Sequence, residues 1–334
     1  MAISTLDLKH EIVQPPSRPL QGLKAWIGRD IVEADWLITF DTACLQEIEQ
    51  ITQEMQEQPL PTIVRSIDEF EIPNLRKVLA KAKATLDDGC GFVVLDRLPM
   101  DDYPTEQMID CFWLIGQLIG LPVAQKWDGT LMYDVTDTGK KFGYGVRGST
   151  TNVELVFHVD NAFGQRVPDY VGLLCKYPAL EGGISRFCSM YTMHDRLLGH
   201  DPDLLARLYE PVLYDRQVEH IEGAPKVTSA PFFTRNGSKI SSRANVSLVR
   251  KGYQVAVVEM DTRLQAALAA IEDISKDEEL WYEAPIERGQ LQYLNNHEIG
   301  HYRSTFKDHD DPEKKRHLYR TWHCNSGRRT YDGI

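Results

Sequence analysis

Short strand-like runs separated by turn residues follow one another after about residue 130, and they limit the possible folds more than any other feature of the chain. The runs are VELVFHV (153–159), DYVGLLCKY (169–177), ISRFCSMY (184–191), QVAVVEM (254–260) and GQLQYL (289–294). Gly, Pro and Asn residues interrupt the chain between them. Many short strands with such breaks are typical of a sandwich or barrel and not of a parallel α/β sheet. We therefore expect a mainly β fold with flanking helices.

Helical spacing is concentrated in the first third of the chain. Asp41 can cap a helix that carries its apolar residues on one face, namely Leu45, Ile48, Ile51 and Met55. A short apolar strand, GFVVLDRL, is predicted at 91–98. Further helices are predicted at 73–87, 104–119, 191–209 and 260–274. Either Asp261 or Thr262 can open the last of these helices.

No internal repeat, low-complexity tract or linker divides the chain, so we expect one domain over residues 1–334. Residues 1–88 would add helices and a strand to the outside of the fold. Residues from about 90 to 325 would form the β core with inserted helices. The oligomeric state stays open, and a homo-oligomer is compatible with the sequence.

The composition limits the partners and the location. The net charge is −12 and no Lys/Arg-rich run is present, so we expect neither a nucleic acid partner nor a membrane partner. The N-terminus lacks the apolar region of a signal peptide, and no apolar run approaches the ~20 residues of a membrane-spanning helix. The six cysteines form no C-x-x-C pair, which predicts reduced thiols in a cytoplasmic protein.

The stretch HEIGH at 297–301 matches the H-E-x-x-H motif of zinc peptidases. In those enzymes the two histidines lie on one face of a helix, with the glutamate beside them. Here Gly300 would cost about 1 kcal/mol inside a helix, and the preceding residues alternate like a strand that stops at Asn295 and Asn296. A peptidase helix is therefore disfavoured.

A different metal pattern is formed by His158 and Asp160, two residues apart at the end of an apolar strand. Because side chains alternate along a strand, the imidazole and the carboxylate would project to the same face. One further histidine would complete a 2-His-1-carboxylate triad, which leaves coordination positions open and suits non-haem Fe(II). The H-x-D pair alone is weak evidence, because such pairs often lie on a surface.

The surrounding residues strengthen this hypothesis. FHVDNAF, followed by DYVGLLCKYPALEGGISRF, resembles the core of the taurine dioxygenase/TfdA family of Fe(II)- and 2-oxoglutarate-dependent oxygenases. LNNHEIGHYRSTF resembles the family pattern D-N-x-x-x-x-H-x-R-x-x-F, and this alignment makes His301 the distal metal ligand and leaves His297 outside the site. KKRHLYRTWH resembles the R-x-x-x-R strand, with Arg316 and Arg320 in the arginine positions.

The resemblance covers residues from roughly 90 to 325 and has two departures. Asn295 stands where the family usually has Asp, and the loop between His301 and Arg316 is a few residues longer than usual. Neither departure changes a residue expected to bind the metal.

The resemblance implies a double-stranded β-helix, or jelly-roll, core in which His158, Asp160 and His301 bind Fe(II). It implies 2-oxoglutarate and O2 as cosubstrates. Arg316 and Ser185 would then hold the distal carboxylate of 2-oxoglutarate, since a guanidinium binds a carboxylate with two parallel hydrogen bonds. The choice between Arg316 and Arg320 for this role stays open.

Four residues are candidates for substrate binding, and each also has a purely structural explanation. Glu154 lies four residues before His158 on the same predicted strand face, or it is simply solvated. Arg320 would face an anionic substrate group, or form a structural ion pair. Asn161 would contact substrate, or make a local turn hydrogen bond. Arg147 lies in the Gly-rich loop 138–152, which would be either a lid or an ordinary surface loop.

We expect hydroxylation of an unactivated C–H bond in a small polar metabolite, either an amino acid or an amine-bearing compound, with succinate and CO2 as coproducts. Halogenating family members carry a small residue in place of Asp160, so its presence favours hydroxylation, with desaturation or cyclisation still open. Two rival functions remain. A zinc hydrolase using His297, Glu298 and His301 requires a helix at 293–305, and a non-catalytic jelly-roll binding protein would keep the fold without using oxygen.

Overall fold

The computed structural model describes residues 4–11, 13–20, 22–141, 143 and 145–331. Its strands, numbered in chain order, are β1 (Thr5–Asp7), β2 (Leu37–Thr39), β3 (Phe92–Asp96), β4 (Leu121–Val123), β5 (Met132–Thr136), β6 (Leu155–His158), β7 (Tyr170–Tyr177), β8 (Glu181–Gly182), β9 (Ser185–Ser189), β10 (Pro211–Asp215), β11 (Val227–Pro231), β12 (Phe233–Asn236), β13 (Lys239–Ser242), β14 (Trp281–Glu283), β15 (Leu291–Asn295), β16 (Ile299–Arg303), β17 (Phe306–Lys307) and β18 (His317–Cys324). The helices are α1 (Glu33–Trp36), α2 (Thr42–Glu57), α3 (Pro73–Asp88), α4 (Thr105–Gln117), α5 (Met190–His200), α6 (Pro202–Leu208), α7 (Val246–Ala256) and α8 (Thr262–Ile274).

Two sheets face each other and form the core. The large sheet has the strand order β2-β3-β15-β7-β18-β4, with β5 also paired to β18, and the small sheet has the order β14-β9-β16-β6. Within these two sheets only β2 and β3 run parallel to each other among the described strands. Phe92 of the large sheet stacks on Phe187 of the small sheet, with the ring centroids 4.4 Å apart. This arrangement is the jelly-roll core that the family resemblance implies.

Helices cover the outer face of the large sheet. Phe92 and Val94 of β3 point between the sheets, whereas Val93 and Leu95 pack against α2, α3 and α4. Because both faces of β3 are covered, its sequence is a continuous apolar run. Asp41 caps α2 by accepting a hydrogen bond from the backbone of Cys44, as predicted. Of the four apolar residues predicted on one face of α2, Ile48, Ile51 and Met55 are buried and Leu45 is 40% exposed.

A second group of helices lies beside the small sheet, with β10, β11 and the hairpin β12–β13. The helix predicted at 191–209 is two helices, because Asp201 ends α5 and caps α6, whose first residue is Pro202. Asp261 caps α8 by accepting from Leu264 N, which confirms the first of the two predicted starts.

The strand predicted at 254–260 is wrong. Asn245 caps α7, and this helix continues to Ala256 before Val257 ends it in the left-handed region with φ 54°. Gly252 lets α7 lie directly on β10, since a Cβ atom there would be 2.3 Å from the carbonyl oxygen of Leu213. Helix-to-strand packing has thus overridden the β propensity of the valines.

Candidate metal centre

A cavity of about 430 Å³ lies between the two sheets. The small sheet and the turn after β6 contribute His158, Asp160 and His301. The large sheet contributes Arg320 and Trp322 from the facing strand β18. The sequence therefore brings polar groups of both sheets to one cavity.

His158 and His301 are direct cross-strand neighbours on β6 and β16. Their ring centroids are 4.2 Å apart, as expected for side chains on the same face of paired strands. Asp160 follows β6, and its Oδ1 lies 3.7 Å from Nε2 of His158 and 3.6 Å from Nε2 of His301. All three ligand atoms fall within 4.8 Å of one another, which brings the predicted triad together.

The other carboxylate oxygen of Asp160 is held by the large sheet. Trp322 Nε1 donates to Oδ2 at 2.8 Å, and Arg320 Nη1 lies 3.0 Å from the same oxygen. Asn296 fixes the backbone of Asp160 on both sides, accepting from its N–H at 2.8 Å and donating to its C=O at 3.0 Å. These contacts leave Oδ1 of Asp160 directed to the imidazoles.

Arg320, for which the sequence left a substrate role and a structural ion pair open, forms an ion pair in the structure. Its guanidinium pairs with Asp160, and its Nε donates to Oε1 of Gln125 at 2.8 Å. Arg320 is 8% exposed, and the ionised Asp160 in such a buried position requires a nearby cation. The structural ion pair, which the sequence left as the alternative, is the one found.

Electrostatics keep His158 and Asp160 in the forms that bind a metal. Burial lowers the pKa of His158 to about 4, and the neighbouring His301 adds to this effect. Burial alone would raise the pKa of Asp160, but Arg320 and the two imidazoles hold the pKa of this carboxyl well below its usual range. Neutral imidazoles and an ionised carboxylate are the ligand forms required for metal binding.

The donor atoms also have a suitable arrangement for a metal. His158 Nδ1 lies 2.8 Å from the carbonyl oxygen of Val156, so that this nitrogen donates and Nε2 keeps its lone pair. Nε2 of His301 points to the same oxygen, Oδ1 of Asp160, as Nε2 of His158, and Nδ1 of His301 is buried without a partner. Two imidazole nitrogens and one carboxylate oxygen with open space beside them fit non-haem Fe(II).

Arg316 and Ser185 also line the cavity, Arg316 from the residue directly before β18 and Ser185 from β9. Arg316 is 3% exposed, and its Nη1 is buried without a hydrogen-bond partner. Gly183 makes room for it, because a Cβ atom at this position, where φ is 67°, would be 2.9 Å from Nε of Arg316. A buried guanidinium with unused donors fits the anionic end of 2-oxoglutarate.

The other predicted substrate residues line the same cavity. Glu154 is exposed and accepts a hydrogen bond from the hydroxyl of Tyr302. Asn161 donates to the carbonyl of Arg166 at 2.9 Å, which is the local turn bond that the sequence left as an alternative. Arg147 is paired with Glu219 through Nη2 at 2.7 Å.

HEIGH does not form a helix. Its first residues make the turn after β15, and the remainder lies in β16, so the helix required at 293–305 by a zinc peptidase is absent. His297 instead hydrogen-bonds to Asp169 at 3.0 Å and to Ser241 at 2.8 Å. Glu298 is buried and pairs with Lys24. Only His301 of the motif belongs to the metal cluster.

Two residues of the site were not predicted from the sequence. Neither Trp322 nor Gln125 is among the site residues that the sequence predicts. Gln125 donates from Nε2 to the carbonyl of Arg320 at 2.7 Å, in addition to accepting from its side chain. The alternation of β18 could have indicated Trp322, because it lies two residues after Arg320 and therefore on the same face.

Fold and site together define the class: a jelly-roll protein with a 2-His-1-carboxylate cluster of the type that binds non-haem iron. The model of the taurine catabolism dioxygenase TauD, TfdA family matches residues 54–322. The chain belongs to this family of non-haem Fe(II)- and 2-oxoglutarate-dependent oxygenases. The family, the enzyme class and the cofactors predicted from the sequence are thereby confirmed.

Two curated relatives are similar over almost the whole chain. FR-33289 synthase of Streptomyces rubellomurinus is 26% identical over 324 residues, covering 93% of this chain and 92% of the relative. The taurine hydroxylase-like protein SAT17 of Stachybotrys chartarum is 24% identical over 330 residues, covering 95% of this chain and 83% of the relative.

Solved structures share the fold. Asparagine oxygenase in complex with Fe(II), 2S,3S-3-hydroxyasparagine and succinate has a TM-score of 0.65 at 20% identity, covering 87% of this chain and 94% of the other. The non-haem iron oxygenase OrfP in complex with Fe, succinate and (3S)-hydroxy-L-Arg has a TM-score of 0.64 at 14% identity, with the same coverage. Among the described residues, no helix is both long enough and apolar enough to cross a membrane.

Proposed function

We propose that this oxygenase hydroxylates an unactivated C–H bond of an amino acid or a related amine-bearing metabolite. The observation that carries the proposal is the cavity beside the His–Asp–His cluster, which has groups of both charges among its lining residues, including Glu154 and Arg147. A zwitterion presents an ammonium group and a carboxylate, and both need partners when they leave water. The complexes of asparagine oxygenase with hydroxyasparagine and of OrfP with hydroxyarginine support this class of substrate.

In this proposal His158, Asp160 and His301 bind the iron, and Arg320 and Trp322 position Asp160. Bound iron, together with 2-oxoglutarate and O2, supplies the oxidising chemistry that converts C–H to C–OH, with succinate and CO2 as coproducts. The protein contributes ligand geometry and a cavity between two sheets that limits the access of water. Desaturation and cyclisation use the same site and are distinguished from hydroxylation by product analysis.

Arg316 is proposed to bind the distal carboxylate of 2-oxoglutarate, with Ser185 as a second donor. Support comes from the burial of both side chains at the cavity and from the unpaired Nη1 of Arg316. Glu154 is proposed to bind the substrate ammonium group. Arg147 and Asn161 are proposed to contact its polar groups, since both line the cavity and each has a buried atom without a partner.

We also propose that residues 1–334 act as one oxygenase domain in the cytoplasm, with 1–88 as additions to a jelly-roll core over about 90–325. Support for the single domain comes from one hydrophobic cluster that combines residues of α2 and α3 with Tyr293 of β15. Support for the location comes from the six cysteines, which are all buried and form no C-x-x-C pair. A homo-oligomer is compatible with this proposal and is tested by light scattering.

The test is an anaerobic titration of the apoprotein with Fe(II) and 2-oxoglutarate, followed by the weak visible absorption band of their chelate. HEIGH provides a matched pair of variants. We expect His301→Gln and Asp160→Ala to lose or displace the band, and His297→Gln to keep it. Amino acids and amines are then screened by succinate release with wild-type protein.

The opposite pattern would overturn the proposal. If the band survived in His301→Gln and Asp160→Ala, the cluster would not be the iron site. If the band formed normally but no amino acid or amine increased succinate release above the substrate-free rate, the iron site would stand and the substrate class would be wrong.

A further inference from the structure

Arg303 is a buried arginine that forms no ion pair with a carboxylate among the described residues. It lies on β16, two residues after His301, and both of these residues line the cavity. Arg147 and Arg320 pair with Glu219 and Asp160, whereas neither Arg303 nor Arg316 forms an ion pair with a described carboxylate. Burying a guanidinium without an ion-pair partner is costly, so a bound anion would stabilise both side chains.

The two guanidinium groups lie near the same aromatic ring. The Cζ atom of Arg303 is 4.9 Å from the ring centroid of Phe306, and the Cζ atom of Arg316 is 5.1 Å from it. The two like charges repel each other, and an anion in contact with both guanidinium groups would offset the repulsion. Nε and Nη1 of Arg303 and Nη1 of Arg316 are buried without hydrogen-bond partners, so donors are available on both groups.

Sheet register places Arg303 beside the proposed cosubstrate site. Arg303 on β16 and Ser185 on β9 are direct cross-strand partners, and such partners project to the same face of a sheet. Arg303 thus neighbours both residues proposed for the distal carboxylate: Ser185 on the adjacent strand and Arg316, whose guanidinium lies near the same Phe306 ring.

The remaining nitrogen of Arg303 is bound to the segment that precedes β6. Its Nη2 donates to the carbonyl of Thr151 at 2.9 Å and also to the carbonyl of Val153. Arg147, at the start of this segment, is the residue proposed to contact substrate. Arg303 therefore connects the cosubstrate end of the cavity with the segment 147–153.

We infer that Arg303 binds the distal carboxylate of 2-oxoglutarate together with Arg316, and that this contact orders the segment 147–153. The inference rests on the proposed cosubstrate site and adds a second cation to it. One carboxylate offers two oxygens and about four lone-pair positions, enough for hydrogen bonds from two guanidinium groups. Cosubstrate binding would then prepare the part of the cavity that receives substrate.

The test uses the full-length protein with Fe(II), without oxygen, and two ligands that differ only at the distal end. Both 2-oxoglutarate and 2-oxovalerate carry the same 2-oxo acid group, but 2-oxovalerate lacks the second carboxylate. By calorimetry we expect Arg303→Gln to weaken 2-oxoglutarate binding about tenfold to a hundredfold, the range for a lost hydrogen bond to a charged group. Binding of 2-oxovalerate should stay within about twofold of wild type, because the lost contact involves only the distal carboxylate. Arg250→Gln, a surface variant in α7, should change neither affinity.

The ligand preference is the ratio of the affinity for 2-oxoglutarate to the affinity for 2-oxovalerate. Arg303→Lys keeps a cation but loses the planar guanidinium, so its preference should lie between that of wild type and that of Arg303→Gln. If Arg303→Gln does not fold, an unchanged preference in Arg303→Lys overturns the inference. Equal weakening of both ligands by Arg303→Gln overturns it as well, because that pattern indicates a structural role only. If Arg316→Gln loses the preference for 2-oxoglutarate and Arg303→Gln keeps it, only the inference about Arg303 is overturned. If both variants keep the preference, the proposed cosubstrate site is overturned as well.

Hydrogen exchange of the backbone gives a second readout that does not depend on turnover. We expect 2-oxoglutarate to slow exchange over 147–153 in wild type but not in Arg303→Gln, and 2-oxovalerate to slow it in neither. Slowed exchange in Arg303→Gln equal to that in wild type would exclude the coupling through Arg303.

Discussion

Replacing Trp322 with phenylalanine tests whether the large sheet positions the metal-binding carboxylate. The indole N–H donates to Oδ2 of Asp160 at 2.8 Å, and the residue is 3% exposed. Phenylalanine keeps an aromatic ring in this space but has no donor. Arg320 remains at 3.0 Å from the same oxygen, so Asp160 keeps its charge but loses one of the two contacts that orient it.

The expected loss of metal affinity follows from the hydrogen bond that Trp322 donates to Asp160. A hydrogen bond to a charged group contributes about 1.5 to 3 kcal/mol, and loss of an outer partner of a metal ligand typically weakens metal binding about 10- to 100-fold. Because Arg320 still holds Oδ2, we expect the lower end, about tenfold, which corresponds to about 1.4 kcal/mol. The smaller ring should also lower the free energy of unfolding by about 1 to 3 kcal/mol through imperfect packing.

The assay is equilibrium binding of Mn(II) to the apoprotein, measured together with urea unfolding. Trp113→Phe is the matched control. Trp113 lies in α4, on the outer face of the large sheet, where it is fully buried and its N–H donates to the carbonyl of Arg65 at 3.3 Å. This control should lose stability without losing metal affinity. If Trp322→Phe bound Mn(II) as tightly as wild type, the indole would contribute packing only and the positioning argument would be refuted.

Two further predictions concern residues outside the metal cluster. Glu298→Gln should lower the free energy of unfolding, measured in urea, by about 2 to 4 kcal/mol, because the buried Glu298 pairs with Lys24 and accepts a hydrogen bond from Tyr191. The absorption band of the Fe(II)–2-oxoglutarate chelate should persist in this variant. Loss of the band would indicate that Glu298 of HEIGH takes part in the metal site. Burial lowers the pKa of His323 to about 4, below its ordinary 6.5, so the unfolded chain binds the extra proton. The contribution of His323 to the free energy of unfolding should therefore be fully present above about pH 6.5 and fall by on the order of 3 kcal/mol as the pH drops to 4. His323→Asn should remove that part of the pH dependence, and an unchanged pH profile in urea unfolding would contradict this assignment.

The sequence was informative where a local period or cap decides the structure. The spacing of His158 and Asp160 at a strand end predicted a shared face, and the structure brings both to His301. Asp41 and Asp261 have short side chains that bind the backbone of the next turn, so their caps depend on neighbouring residues alone.

Features that depend on distant residues could not be predicted in this way. The helix at 246–256 forms against β10 although its end is rich in valine, and the approach depends on Gly252 meeting Leu213. The partner of Arg320 was equally inaccessible, because Asp160 is far away in the chain and several acids compete as candidates. The exposure of Leu45 reflects which part of a helical face the neighbouring helices cover.

The contacts in the cavity come from two kinds of element, the core strands and the connecting loops. Asp160 is fixed by Trp322, Arg320 and Asn296, all of which belong to the core strands or the turn between them. Arg147, in contrast, lies in a connecting segment and is paired with Glu219 of another loop. Because Arg147 is proposed to contact substrate, exchange of this loop between relatives is expected to change selectivity and to leave the metal cluster unchanged. In libraries for new substrates, positions 147 and 219 should be varied jointly, and the three residues around Asp160 should be held constant.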